Sequence, residues 1–304
     1  MIKFYFRTIK DNELSELTGF KNDALVYVSD PVDDDLDFLV EELNLDKRTI
    51  LDALDINEIP RIEIKNKVIY IFLRAPVKEE NNIYTLPFLV VISKKFFVII
   101  SKRLKILDNF IKKGKFYTTQ KTKTFLKILF AVFNFYEIII TKLNKEIRAI
   151  GLDLKNVDEE FIRTFVRFEI ILQELLTSLL PTHHIFSLIL SKKILPLFEN
   201  DKDLIEDLIL KIEQLEDISK SSIKHIIHIR EAYEAILTNN VNKAIKFLTA
   251  LTVIIGFPTL VASLYGMNVS LPLANSEYAF FIITFINLLF MFLLFIYFHF
   301  KKWL

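Results

Sequence analysis

The chain has no cysteine, which excludes disulfides, zinc–thiolate centres and cysteine nucleophiles. Glycine is scarce, 5 among 304 residues, and no G-x-x-x-x-G-K-S/T or G-x-G-x-x-G run occurs. Such loops cradle phosphates in nucleotide-driven machines, so a pump of that kind within this chain is not expected. There is no excess of either charge: 39 Lys+Arg stand against 38 Asp+Glu, and no basic field is available to draw nucleic acid. The first residues lack a long apolar core and a small-residue cleavage site, so no secretory signal is expected. What the chain has in abundance is apolar surface. The hydrophobic fraction is 52% and the mean hydropathy +0.35, with the excess concentrated at the C-terminal end.

Residues 1–115 read as an α+β domain. Apolar, β-branched runs recur at Ile2–Thr8, Leu25–Val28, Val68–Leu73, Tyr84–Ile92 and Phe96–Ile100, and Lys94-Lys95 between the last two predicts a hairpin. Asp30–Asp46 reads as a helix with aspartates in its first turn, where they complement the helix dipole. That acidic cluster lacks the spacing of a calcium loop, and capping explains it better.

Residues 116–241 change to long helices. Phe125–Gly151 and Val157–Leu180 carry apolar residues at three- and four-residue spacing, and Leu180-Pro181-Thr182 predicts a break between two antiparallel helices. A third helical pattern starts after Asn200 and meets no Pro before Pro258 and no Gly before Gly256. Continuous from Asp203 to Leu264, it would extend about 90 Å at ~1.5 Å per residue. That is too long for a compact domain, and its apolar end predicts a run from cytosol into membrane.

Residues 242–304 hold two segments free of charge, Phe247–Tyr265 and Tyr278–Phe298, each near the ~20 residues that span a bilayer. Lys243 and Lys246 precede the first and Lys301-Lys302 follow the second, while the loop Gly266–Glu277 has neither Lys nor Arg. The positive-inside rule then places both termini in the cytoplasm of a cell membrane, with lipid as the partner of both segments.

The first span has a polar seam. One heptad position reads Asn242, Thr249, Gly256, Ser263, and a second reads Ile245, Thr252, Thr259, Gly266; within Phe247–Leu264 every Ser, Thr and Gly falls on these two. Helix packing through small residues is one explanation. A water-filled pore shared by several copies is the other, and Asn242 at one end and the uncharged tetrad Tyr265-Gly266-Met267-Asn268 at the other favour it.

The tetrad, closing the first of two C-terminal apolar helices, resembles the CorA-type magnesium channels. Asn242 followed by Leu248-Thr249 is similar to that family's entrance to the first span, Thr259 falls where the family has a pore-lining Thr, and Leu51-Asp52-Ala53-Leu54-Asp55-Ile56 with Pro60-Arg61-Ile62-Glu63 resembles a degraded family motif. The terminal Lys-Lys-Trp-Leu is also family-like. The resemblance implies a funnel-shaped homopentamer with a helical stalk, passing hydrated Mg2+, and Co2+ or Ni2+, inward through a central pore. Tyr265, Gly266, Met267 and Asn268 would select the ion. Asn242, Ile245, Leu248, Thr249, Thr252, Gly256, Thr259 and Ser263 would line the pore, with Ile245 and Leu248 as a hydrophobic gate. It further implies closure by cytosolic Mg2+ on acids between neighbouring subunits, for which Asp207 and Glu79 are the candidates. Two departures stand out: Gly256 replaces a bulky Met, and Leu271-Pro272-Leu273 replaces an acidic loop, leaving Glu277 as its one acid.

Three alternatives remain at this level. A zinc transporter of the same superfamily would usually vary the residue between Gly and Asn, so Met267 favours magnesium. A membrane-anchored sensor or scaffold gives no use for the seam. An enzyme finds no nucleophile–base or metal-ligand constellation and no organic cofactor site. His225 and His228 lack an evident third ligand, and His183-His184 read as an exposed loop after Pro181.

Overall fold

The computed structural model describes residues 1–304 apart from 81, 152–158, 193 and 274–275 and the side chains at 151, 159 and 161. The described residues divide into two compact units, Met1–Ile227 and His228–Leu304.

The first unit is built on one seven-stranded sheet in the order β2-β1-β3-β7-β6-β5-β4. Its strands are β1 (Ile2–Phe6), β2 (Ser15–Leu17), β3 (Leu25–Ser29), β4 (Arg61–Lys65), β5 (Val68–Glu79), β6 (Asn82–Ile92) and β7 (Phe97–Ser101). β3 and β7 pair parallel, with Val26 opposite Val98, and the other ladders are antiparallel, which makes the unit α+β. Ile92 faces Phe97 across the Lys94-Lys95 turn, so the expected hairpin forms. β2 and β4 were not anticipated. They are the two edges of the sheet, half-exposed and rich in Ser, Glu, Arg and Lys, so they lack an apolar run.

Helices cover both faces. α1 (Asp33–Glu41) and α2 (Lys47–Asp52) bury Leu36, Leu39 and Ile50 against Val26, Val28, Phe72, Leu89 and Val98. The aspartates at the start of α1 behave as caps: Asp35 Oδ2 accepts the Val32 N–H at 3.0 Å and pairs with the N-terminal amine at 2.6 Å. The stretch Asp52–Glu63 is a structural clamp, since the Arg61 guanidinium bonds Asp52 at 2.9 Å, Glu63 at 2.7 Å and Glu58, and lies 3.9 Å from the Phe72 ring centroid.

On the other face, α3 (Lys105–Lys113), α4 (Lys121–Gly151) and α5 (Glu159–Lys192) pack. The Tyr27 hydroxyl donates to Asp108 at 2.8 Å, and burial first, then that carboxylate, raises its pKa. α4 is apolar enough in composition to cross a membrane, yet 56% of its apolar window is buried inside the first unit.

One expectation fails here. Pro181 does not end a helix but lies inside α5, which runs on to Lys192, and His183 and His184 are helical rather than in a loop. Val157, the expected start of this helix, lies outside the described residues. An interior proline costs roughly 3 kcal/mol. Leu179, Ile185, Phe186 and Ile189 on the same helix are all buried, at about 2 kcal/mol each, and offset that cost. Thr182 also closes locally, its hydroxyl donating to the Ser178 carbonyl at 2.6 Å. His183 meets the next helix, with Nε2 3.3 Å from Glu213 and Nδ1 3.6 Å from Glu216.

α6 runs from Glu199 to Tyr265 as one helix of 67 residues, and the boundary between the two units falls within it. α7 (Ala279–Phe300) follows with 22 residues. In the second unit Ala250, Ile254 and Phe298 form a small core with Met291, Leu294, Trp303 and Leu304 around it. Trp303 stacks on Phe298 at 5.4 Å, so the end of the chain folds back onto the helix pair.

Candidate ion pathway

Within the second unit, α7 packs on one face of α6. Ala250 and Ile254 are buried there, and the Phe257 ring stacks on Phe290 at 3.9 Å. At ~100° per residue, the seam of Thr249, Thr252, Gly256, Thr259 and Ser263 lies roughly 150° around α6 from that face. α7 therefore does not use the small-residue face. Asn242, Ile245 and Leu248 at its lower end are exposed as well, as is every seam residue. The outward apolar surface is extensive: 11% of the apolar window of α6 and 0% of that of α7 is buried. Lipid can accept such surface, because a helix satisfies most of its backbone groups within itself.

The seam threonines are oriented by their own helix. The Thr249 hydroxyl donates to the Ile245 carbonyl at 2.8 Å, Thr252 to Leu248 at 2.8 Å, and Thr259 to Ile255 at 3.0 Å. Each hydroxyl hydrogen is thereby engaged, and the oxygen lone pairs remain as acceptors. A row of acceptors with no counter-charge suits a cation carrying its hydration water, whose hydrogens point outward. Gly256 opens the row: a Cβ built there meets nothing within 4 Å. Pro258 sits inside α6 without ending it.

The helix closes at the tetrad. The Gly266 N–H reaches the Ala262 carbonyl at 3.0 Å and the Met267 N–H the Leu264 carbonyl at 3.2 Å. The Tyr265 hydroxyl donates to the Pro272 carbonyl at 3.2 Å, tying the following loop to the helix end; nothing in the sequence signalled this bond. Asn268 is exposed, and no described residue hydrogen-bonds its amide. The last carbonyls of α6 give this end a partial negative charge.

The two acids that the resemblance implies for regulation belong to the first unit. Asp207 is exposed on α6, and Glu79 is exposed at the end of β5, where after burial its carboxylate helps raise the Tyr84 hydroxyl. Among the described residues no group of three or more His, Cys, Asp or Glu could hold a metal within one chain, and His225 and His228 belong to no such group. His228 is instead 3.3 Å from Glu231.

An α+β unit that shares a helix with lipid-length apolar segments is the architecture of a membrane-embedded protein. The chain belongs to the CorA-like Mg2+ transporter protein family, whose model matches residues 25–302; it is thus a divalent-cation transporter of that family. A curated relative, the cobalt/magnesium transport protein CorA of Methanocaldococcus jannaschii, is 25% identical over 290 residues, covering 91% of this chain and 90% of that protein. The complete structure of the CorA magnesium transporter from the same organism is similar with a TM-score of 0.88 at 22% identity, over 100% of this chain and 99% of that one. The ZntB cytoplasmic domain from Vibrio parahaemolyticus is similar at 8% identity and a TM-score of 0.64, over 78% of this chain and 98% of that domain. These structural likenesses bear on the fold.

Proposed function

We propose that the chain forms a homopentameric channel with two membrane spans per subunit, α7 and the C-terminal part of α6, and that five seams line its pore. It passes hydrated Mg2+, with Co2+ and Ni2+ as further substrates, into the cytoplasm, where both termini lie. The observation that carries this reading is the placement of α7 on the face of α6 opposite the seam, which leaves the hydroxyl row and the Asn268 amide for other copies and for water.

Mg2+ sheds its water reluctantly, so neutral acceptors recognise its shell rather than the bare ion. Asn268 carbonyl oxygens and Gly266 backbone carbonyls form the outer ring, and the seam accepts from the same waters further in. Binding by neutral oxygens is weak enough for release, which conduction requires. The membrane voltage supplies ~2.3 kcal/mol per charge per 100 mV, about twice that for Mg2+, directed inward. No Asp or Glu lies in Phe247–Tyr265 or Tyr278–Phe298, so a carboxylate proton relay has no residues to use. The zinc alternative has Met267 against it, and the ZntB likeness speaks for fold alone.

The test is flux of Mg2+, Co2+ and Zn2+ into proteoliposomes with a size series at Gly256. Gly256→Ala should keep Mg2+ flux within about twofold, while Gly256→Phe, at a position where an added Cβ points into open space, should cut it at least ~tenfold by filling the lumen. Equal flux through Gly256→Phe would remove this face from the pore.

For gating, Asp207 and Glu79 are the acids through which cytosolic Mg2+ bridges neighbouring subunits and holds the pore shut at Ile245 and Leu248. Asp207→Ala with Glu79→Ala should shift the internal Mg2+ needed for closure upward by at least about tenfold, since two charged ligands are lost. An unchanged dose response would assign closure to other groups.

A further inference from the structure

A cavity of about 1090 Å³ opens on the first unit, where the β4–β5 and β6–β7 turns meet the first turns of α4 and α6. Small-molecule sites run to about 1,000 Å³. One wall is apolar, with Ile69, Ile92 and Phe198, and the Phe198 ring is 81% exposed. The rest of the rim is polar and includes Lys67, Lys94 and Lys123. None of these three ammonium groups forms an ion pair with a described residue.

The other charges in the lining are already engaged. Lys121 bonds Asp23 at 2.8 Å, the Ser93 carbonyl at 3.1 Å and the Lys94 carbonyl. Asp201 accepts the Phe198 N–H at 3.2 Å, as a cap of α6. Four lysines against Asp23 and Asp201 leave the lining at net +2, with Lys67, Lys94 and Lys123 outside any ion pair with a described residue. Lys67 is held there against local preference. It is the second central residue of the two-residue turn between β4 and β5, with φ +64° after Asn66 at +50°, a position where glycine is favoured. Lys123 lies in the first turn of α4, whose N–H groups have no partner four residues back.

We propose that this cavity binds a nucleoside phosphate, its polyphosphate on Lys67, Lys94 and Lys123 and its base against Phe198 and the Ile69–Ile92 wall. Three clustered ammonium groups match a polyphosphate, and a flat aromatic base is the part of such a ligand that covers an exposed phenyl ring.

The test is calorimetric titration of the full chain in detergent with ATP and, separately, with pyrophosphate. ATP should bind saturably, one per chain. Lys67→Glu with Lys123→Glu should weaken ATP and pyrophosphate at least ~tenfold by removing charge-assisted contacts. Phe198→Ser should weaken ATP and leave pyrophosphate unchanged. Should the double variant unfold, as judged by its thermal midpoint, Lys94→Gln takes its place with the same expected direction. Absence of saturable ATP binding at millimolar concentration would overturn the proposal, as would unchanged ATP affinity in these variants. Loss of the oligomer on Phe198→Ser without nucleotide would also overturn it, because the cavity would then be a contact between copies. Ion flux is not the readout, so the outcome is independent of the pore assignment.

Discussion

Asn268→Ala is expected to abolish Mg2+ uptake while the protein folds and assembles as before. The amide is exposed, and no described residue hydrogen-bonds it, so its removal costs the fold nothing. On the proposed function, what is lost is the ring of carbonyl oxygens that receives the hydration shell at the outer end of α6. A hydrated divalent ion then meets a ring of methyl groups at the narrow entrance, and each lost hydrogen bond to the charged ion's shell weakens binding by about 1.5–3 kcal/mol. Several such losses around one ring take entry below detection. The measurement is Mg2+ flux into proteoliposomes beside the thermal unfolding of the same preparation. Normal flux through the variant would show that selection lies elsewhere.

Arg74→Met is expected to destabilise the first unit by about 3 kcal/mol, the cost of removing the hydrogen bonds of a largely buried guanidinium and leaving their acceptors unpaired. The Arg74 side chain is 10% exposed and joins three layers of the fold. Its Nε donates to the Thr85 hydroxyl at 2.7 Å, one terminal nitrogen to the Ile56 and Glu58 carbonyls at 2.7 Å, and the other to the Thr85 carbonyl at 2.8 Å. Glu174 of α5 accepts from the Thr85 N–H at 3.1 Å and hydroxyl at 2.8 Å, and stands 3.7 Å from the guanidinium. From α4, the Tyr136 hydroxyl, its pKa raised by burial, donates to the Arg74 carbonyl at 3.2 Å. Methionine keeps much of the volume and none of the donors, which leaves the Ile56, Glu58 and Thr85 carbonyls without their guanidinium partner. Glu174→Gln alone should cost about 1 kcal/mol, and the double variant less than the sum, because both act in one network. Thermal unfolding of the full chain reads all three. A shift for Arg74→Met within about 0.5 kcal/mol, as for an ordinary surface change, would contradict this account.

Much of the chain was legible because its signals are local. The interior strands announce themselves as β-branched runs, and the heptad seam of α6 is a property of spacing alone. The edges β2 and β4 were missed for the opposite reason: Ser15–Leu17 and Arg61–Lys65 are half in water and carry the polar residues that edges need. Pro181 was misjudged because a local penalty was weighed without the buried side chains on either side of it. The Arg74 network was invisible because its members sit at positions 74, 85, 136 and 174, and only the fold makes them neighbours.

By itself the sequence determined that the chain ends in two lipid-length apolar segments, that the first carries a polar seam, and that an uncharged tetrad closes it. These follow from periodicity and the cost of burying polar groups in hydrocarbon. The tertiary structure decided which face of α6 is spent on α7, that Tyr265 anchors the loop at Pro272, and which charges of the soluble unit stay unpaired. Those depend on contacts between residues far apart in the chain, where packing and partner geometry outweigh any local preference.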